Sequence, residues 1–145
     1  MQLTEHFSLD ELTVSEVAVR KGLDNTPDAD SLENLKILAG YLERIRELVG
    51  VPLHINSAFR APKVNQAVGG SPTSSHCMGE AADITAPQFG TPQEIAKAIM
   101  ASDIPYDQLI YEGTWLHFGI REPMRNQKLT AVFGGGKVTY LPGIA

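Results

Sequence analysis

Residues 74–84 place the strongest constraint on how this chain can fold. They carry His76 and Asp83 on either side of a run of small residues that includes Gly79. The two polar side chains are seven positions apart, which is too far for them to meet on one face of a helix and too irregular for one strand. If they act together, the chain must fold back at Gly79, and the small residues keep the space between them open.

A histidine and an aspartate brought together in this way are typical of a metal site, whereas in an ordinary loop both would be solvated. A catalytic zinc has three protein ligands and one open position. His117 is the predicted third ligand, because it lies in the alternating run 115–120, which indicates a strand. Two imidazoles and one carboxylate suit zinc best, although other divalent metals can use the same ligands. The sequence therefore predicts one zinc per chain, bound by His76, Asp83 and His117.

Capping residues and hydrophobic spacing predict the helices. From about residue 28 to residue 49, apolar residues recur every three or four positions, which is the pattern of an amphipathic helix, and Gly50 ends it. Thr26 followed by Pro27 is a signature for the start of this helix. The other predicted helices are a short one near 8–12 with Ser8 as its cap, a turn or helix at 15–21, a short helix at 62–68, and a helix at about 92–102 that begins with Thr91 and the capping-box residue Glu94.

Alternating runs predict the strands. They are residues 53–57, 83–86, 107–112 and 114–120, and the last two form a hairpin that turns at Gly113. The tail, 128–145, fits either a terminal hairpin or a loose arm. These elements predict one compact α+β domain over residues 1–145. We expect helices on one face of a small, mainly antiparallel sheet and the metal in a cleft on the other face.

Composition and charge exclude several classes of protein. A chain of 145 residues with 43% hydrophobic residues is sufficient for one soluble globular domain. The net charge of −5 argues against nucleic-acid binding, which needs a basic surface. Cys77 is the single cysteine, so no intramolecular disulfide can form.

No targeting or membrane segment is predicted from the sequence. There is no run of 18 apolar residues that would predict membrane insertion, and the first residues lack the basic and apolar regions of a signal peptide. We therefore expect synthesis in the cytoplasm. Action on a cell wall would then require release from the cell or delivery by a virion.

Three motifs in order resemble the zinc D-alanyl-D-alanine carboxypeptidases and dipeptidases, with the related phage endolysins and the hedgehog signalling domain. The pattern S-x-H-x-x-G-x-A-x-D of that family is matched by Ser74, His76, Gly79, Ala81 and Asp83. The later histidine-bearing strand is matched around His117, and an upstream S-x-x-R is matched at 57–60. The resemblance covers roughly residues 30–122, and three motifs together make it specific.

The resemblance implies a general base near the last ligand. In some relatives this base is a glutamate three residues before the last histidine, and here that position is Thr114, which cannot serve. Other relatives, including the hedgehog type, place a tyrosine–glutamate pair slightly further upstream, close to Tyr111 and Glu112. Glu112 is therefore the candidate base, and a turn at Gly113 can fold it back towards the metal.

Four other residues are candidates for substrate binding or support of the site. The resemblance implies that the guanidinium of Arg60 holds a substrate carboxylate or helps to polarise the scissile carbonyl. Ser74 is a candidate substrate contact, and Trp115 shares a strand face with His117, which makes it a candidate wall of the cleft. Asp107 is a candidate for orienting a ligand histidine. Cys77 and His54 are interpreted as residues without a catalytic role.

The resemblance implies a hydrolase, a zinc metallopeptidase that acts on peptidoglycan stem peptides. The activity that we favour is that of a D-alanyl-D-alanine carboxypeptidase. The alternative is a phage-type L-alanyl-D-glutamate endopeptidase, an endolysin, since a short chain without a wall-binding module is typical of phage enzymes. An alternative of another class is a non-catalytic zinc-containing binding domain, and the position of Glu112 relative to the metal separates the two classes.

Overall fold

The computed structural model describes residues 1–145, and the predicted α+β fold class is confirmed. The helices are α1 (Leu9–Thr13), α2 (Glu16–Lys21), α3 (Ala29–Val49), α4 (Pro62–Ala67) and α5 (Pro92–Met100), with a 3-10 turn at Ser75–Met78. The strands are β1 (His54–Ser57), β2 (Ala81–Thr85), β3 (Gln108–Tyr111), β4 (Leu116–Gly119), β5 (Gln127–Gly134) and β6 (Lys137–Pro142). No helix combines the length and the apolar character that crossing a membrane requires.

The six strands form one sheet in the order β1-β2-β4-β3-β5-β6. Neighbouring strands are antiparallel except for β3 and β5, which run parallel. β3 and β4 form the predicted hairpin, and its turn contains Gly113 at a φ of 87°. The tail is the terminal hairpin β5–β6, which joins the sheet through β5. The sheet is therefore mainly antiparallel, as predicted.

The long helix α3 packs one side of the core. Its buried face consists of Leu35, Leu38, Ala39, Leu42, Ile45 and Val49. The predicted start at Thr26 and Pro27 is wrong, because the carboxylate of Asp28 caps the helix by accepting a hydrogen bond from the Ser31 amide at 2.8 Å. The Thr26 hydroxyl instead donates to the Asp24 carboxylate at 2.7 Å.

Alternation along the strands gives the sheet two different faces. Alternate residues of β1, β2, β3 and β4 join the core with α3 and α5: Ile55, Ala82, Ile84, Leu109, Leu116 and Phe118. Residues of the opposite parity lie on the other face, where Asp83 of β2 is paired with His117 of β4 and His117 is paired with Ile110 of β3. The helices therefore cover one face, and the predicted metal ligands occupy the other.

A candidate metal centre in an open cleft

The three predicted metal ligands converge on the cleft face of the sheet. Asp83 and His117 are directly opposite each other on β2 and β4, and His76 lies in the 3-10 turn that precedes β2. All are buried, with 3% (His76), 6% (Asp83) and 8% (His117) of their surface exposed. Each offers one ligand atom, and these atoms lie within 4.8 Å of one another. The chain therefore folds back around Gly79 as the spacing predicts.

Distances between the ligand atoms fit a zinc ion. Asp83 Oδ1 lies 3.4 Å from His76 Nε2 and 3.2 Å from His117 Nδ1. A tetrahedral zinc with bonds of about 2.0–2.1 Å separates its ligand atoms by about 3.3 Å. The two imidazole rings are 5.1 Å apart between centroids and inclined at 69°, so they approach the carboxylate from different directions. The donor set and its spacing suit one zinc per chain.

The charges in this cluster favour a bound cation. Burial alone would raise the pKa of Asp83, but the nearby His76 and His117 together lower it, so the carboxylate stays ionised. Burial alone would lower the pKa of His117, but its hydrogen bond to Asp83 and the negative charges of Asp83 and Glu112 raise it. A metal cation can supply the positive charge that balances this buried carboxylate when both histidines are neutral.

Backbone contacts fix the orientation of His76. The ring Nδ1 lies 2.7 Å from the carbonyl oxygen of Ala58, which can only accept, so Nδ1 carries the hydrogen and Nε2 is left free for a metal. The amide of Arg60 donates to the carbonyl oxygen of His76 at 3.1 Å. Ser74, a predicted substrate contact, lines the cleft, and its hydroxyl accepts from the His76 amide at 3.2 Å.

Gly79 holds the turn of His76 against α3. Its φ is 72°, a left-handed conformation that glycine adopts readily, and its amide bonds to the carbonyl of His76. A Cβ at this position would lie 2.6 Å from the carbonyl oxygen of Ser31 on α3. The side-chain amide of Asn34 also donates to the Met78 carbonyl at 2.8 Å. Only glycine permits this approach of the turn to the helix.

Asn25 secures the segment that carries Arg60. Its side-chain amide donates to the carbonyls of Thr13 and Phe59 at 2.7 Å and 3.2 Å, and its Oδ1 accepts from the Ala61 amide at 2.7 Å. Arg60 itself lines the cleft, and its Nε is buried without a hydrogen-bond partner. A buried polar nitrogen without a partner is uncommon, and a bound ligand or a water molecule is one way to satisfy it. The sequence offered no signal for Asn25, because its partners are distant in the chain.

Glu112 and Trp115 face the metal ligands across the hairpin turn. The indole Nε1 of Trp115 donates to Glu112 Oε1 at 2.8 Å, and the Glu112 amide donates to the Trp115 carbonyl at 3.0 Å. Both side chains line the same cleft as His76, Asp83 and His117. Trp115 therefore orients the carboxylate of Glu112 while one Glu112 oxygen keeps its capacity to accept a further proton or hydrogen bond.

The cleft above the ligands is polar and open. It has a volume of about 520 Å³ and is walled by the loop at 69–75 on one side and by Leu129 and Tyr140 of the terminal hairpin on the other. A second cleft of about 330 Å³ is lined by residues 14–17 and Val68. Arg60, Asp83 and Trp115 line both clefts, so the two clefts adjoin at Asp83, and together they are called the groove.

Arg121 and Arg125 line the cleft although the sequence analysis did not single them out. Two arginines within five residues of a ligand-bearing strand were the available signal. Asp107 binds Arg125 through two hydrogen bonds of 2.7 Å and 2.9 Å, so it orients this arginine rather than a ligand histidine. Burial raises the pKa of the Cys77 thiol, which favours its protonated form.

The fold and the site together define a class of protein. Two buried imidazoles and one carboxylate in an open groove, with the second carboxylate of Glu112 in the same cleft, are the parts of a metallohydrolase site. The family model of Peptidase M15 matches residues 5–118. The chain belongs to this family of zinc peptidases, which confirms the resemblance seen in the sequence. A search of curated proteins found no match.

Proposed function

We propose that this protein is a zinc metallopeptidase that hydrolyses peptidoglycan stem peptides, and first of all a D-alanyl-D-alanine carboxypeptidase. One observation carries the proposal: the buried cluster of His76, Asp83 and His117 opens into a groove that also holds Glu112 and Arg60. Zinc bound by the three ligands would polarise the scissile carbonyl and lower the pKa of a water molecule.

Glu112 is the proposed general base. It accepts the proton of the attacking water and delivers this proton to the amine of the leaving residue, so the reaction needs no other proton donor. The hydrogen bond from Trp115 limits the rotation of the carboxylate, which lines the same cleft as the ligands. Membership of the family supports peptidase chemistry, and the position of Glu112 in the cleft supports this role.

Arg60 is the proposed anchor for the carboxylate at the end of the substrate. Its guanidinium can bind a carboxylate through two parallel hydrogen bonds, and its buried Nε lacks a partner in the protein. The amide of Arg60 also bonds to the carbonyl of His76, so the backbone that carries the guanidinium is held beside the backbone of this ligand. This anchor favours substrates that end one residue beyond the cleaved bond. Ser74 and Trp115 are proposed to complete the walls around this residue.

A specific observation favours a second candidate, an L-alanyl-D-glutamate endopeptidase of the phage endolysin type. The groove consists of two clefts that adjoin at Asp83, and Arg60, Asp83 and Trp115 line both of them. A peptide that extends in both directions from the cleaved bond can occupy such a groove, whereas a carboxypeptidase needs only one extended side. The carboxylate of a leaving glutamate would also suit Arg60.

Product analysis of purified muropeptides tests both candidates. Mass spectrometry compares the products of the zinc-loaded wild type with those of Glu112→Gln and His117→Ala. The control is Glu47→Gln, which changes an exposed glutamate on α3. Released D-alanine identifies the carboxypeptidase, and cleavage between L-alanine and D-glutamate identifies the endopeptidase. Either activity should be retained in the control and lost by at least about a hundredfold in Glu112→Gln. One bound zinc without cleavage of any muropeptide would refute the peptidase and leave a zinc-containing binding domain.

A further inference from the structure

The terminal hairpin β5–β6 lies beyond the residues that the family model matches, yet it forms part of the cleft. The match ends at residue 118, whereas Leu129 of β5 and Tyr140 of β6 both line the cleft that contains the metal ligands. β5 is held there by parallel pairing with β3, in which Leu129 is opposite Ile110. Because the hairpin lies outside the region that the family model matches, it can give this protein a substrate selectivity that the family pattern does not determine.

The cleft face of the hairpin is apolar. Residues paired in an antiparallel ladder share a face, so the pairs on the face of Leu129 are Leu129 with Pro142, Ala131 with Tyr140, and Phe133 with Val138. Tyr140 and Phe133 are 49% and 60% exposed, which leaves ring surface free for contact with a ligand. Phe133 also reaches the β3–β4 turn, where its ring lies 3.9 Å from the position of a Cβ on Gly113. This apolar face therefore continues the wall that Glu112 and its turn begin.

The hairpin is far enough from the ligands to bind a different part of a substrate. Arg60 follows β1 at one end of the sheet, and Tyr140 lies on β6 at the other end. Three strand spacings separate β4, which carries His117, from β6, and they amount to about 14 Å. An extended peptide covers this distance with about four residues. Because Arg60 is suited to the carboxyl end of the peptide, the hairpin faces the part on the amino side of the cleaved bond.

We propose that the apolar face of β5–β6, with Tyr140 at its centre, is the subsite for the acyl portion of the peptide, the residues on the amino side of the cleaved bond. The subsite contacts aliphatic side chains such as those of alanine and the methylene chain of a diamino acid. It makes this protein selective for long stem peptides over short ones. The inference rests on the proposed function for the direction of the peptide, but binding tests it independently of cleavage.

The test measures peptide binding through Trp115, the single tryptophan of the chain, which lines the cleft. Zinc-loaded protein carrying Glu112→Gln, so that no turnover occurs, is titrated with a full-length muropeptide and with acetyl-D-Ala-D-Ala. Tyr140→Ala should raise the Kd of the muropeptide about tenfold, since up to half of an aromatic side chain is no longer buried on binding, and should leave the Kd of the short peptide unchanged. Tyr140→Phe should keep the Kd of the muropeptide within about twofold of the value for the Glu112→Gln protein, because the ring makes the contact.

Thr139→Ala is the matched control, since Thr139 is an exposed neighbour on β6 whose side chain lies on the opposite face. It should change neither Kd. The subsite is wrong if Tyr140→Ala weakens both peptides equally or neither, or if Tyr140→Phe loses as much affinity as Tyr140→Ala. If Tyr140→Ala weakens only the binding of the muropeptide but the wild-type protein cleaves no muropeptide, the proposed function fails and the subsite stands.

Discussion

Gly79→Ala should destabilise the protein far more than the same substitution at another glycine with the same backbone conformation. Gly79 has a φ of 72°, and Gly50, which ends α3, has a φ of 73°. A Cβ at Gly79 would lie 2.6 Å from the Ser31 carbonyl and 3.1 Å from Leu35 Cγ, whereas a Cβ at Gly50 would meet nothing within 4 Å. Comparing Gly79→Ala with Gly50→Ala therefore separates the cost of backbone strain from the cost of the steric clash.

The magnitude follows from these two terms. Alanine in the left-handed conformation costs about 1 kcal/mol at either position. The clash at Gly79 is with backbone, so the turn and α3 must move apart, which adds about 1–3 kcal/mol. Restriction of the unfolded chain by the new methyl group is the same in both variants and cancels in the comparison. The difference corresponds to a Tm lower by roughly 3–10 °C for Gly79→Ala than for Gly50→Ala.

Urea unfolding of both metal-free variants measures the difference directly, and zinc titration supplies a second readout. Because the turn that moves carries His76, Gly79→Ala should also bind zinc more weakly, while Gly50→Ala should bind it as the wild type does. Equal stabilities of the two variants would refute the argument from close approach. Unchanged zinc affinity in a destabilised Gly79→Ala would refute the link between this approach and the position of His76.

Three further predictions concern the surroundings of the site. Asn25→Ala leaves the Phe59 carbonyl and the Ala61 amide without their partner, so the free energy of unfolding measured with urea should fall by about 1–3 kcal/mol. The kcat/KM should also fall, because Arg60 loses its support, and wild-type values for both quantities would contradict this role. The hydrogen bonds from Arg125 lower the pKa of Asp107, so the pair stabilises the fold above about pH 4 and this contribution is lost as the pH falls through the lowered pKa. The stability difference between wild type and Asp107→Asn should thus shrink below about pH 4, and a difference that grows on acidification would show that the pair is not its source. A chelator should lower the calorimetric Tm of the zinc-loaded wild type, because zinc at a hundred times its Kd adds about 2.7 kcal/mol to the free energy of unfolding. An equal fall in Tm when the chelator is added to His117→Ala would show that the metal binds elsewhere.

The convergence of His76, Asp83 and His117 could be predicted from the sequence, because each of these candidate ligands belongs to a local pattern. His117 and Asp83 stand in short strands whose alternation is visible in the chain, and Gly79 marks the point of reversal. The amphipathic face of α3 and the capping box of Thr91 and Glu94 in α5 are equally local, and both helices form where the sequence predicts them.

The rest of the cleft could not be predicted, because it depends on pairing between distant segments. The tail contains no local signal that β5 pairs in parallel with β3, since β6 is exposed throughout, only two residues of β5 are buried, and neither strand has the apolar run of a buried strand. Leu129 and Tyr140 therefore became visible as cleft residues only in the structure. In the same way, the sequence suggests a ligand histidine as the partner of Asp107, whereas the fold brings Arg125 to it.

The direct pairing of Asp83 with His117 also determines which changes of chain length the protein can tolerate. Side chains alternate along a strand, so inserting one residue early in β2 or β4 would turn a ligand to the core face and bring an apolar neighbour such as Ile84 or Phe118 into the cleft. Insertions in the connection between α5 and β3 leave this pairing intact. Among natural variants of this chain, lengths should therefore vary in the connections and stay constant within β2 and β4.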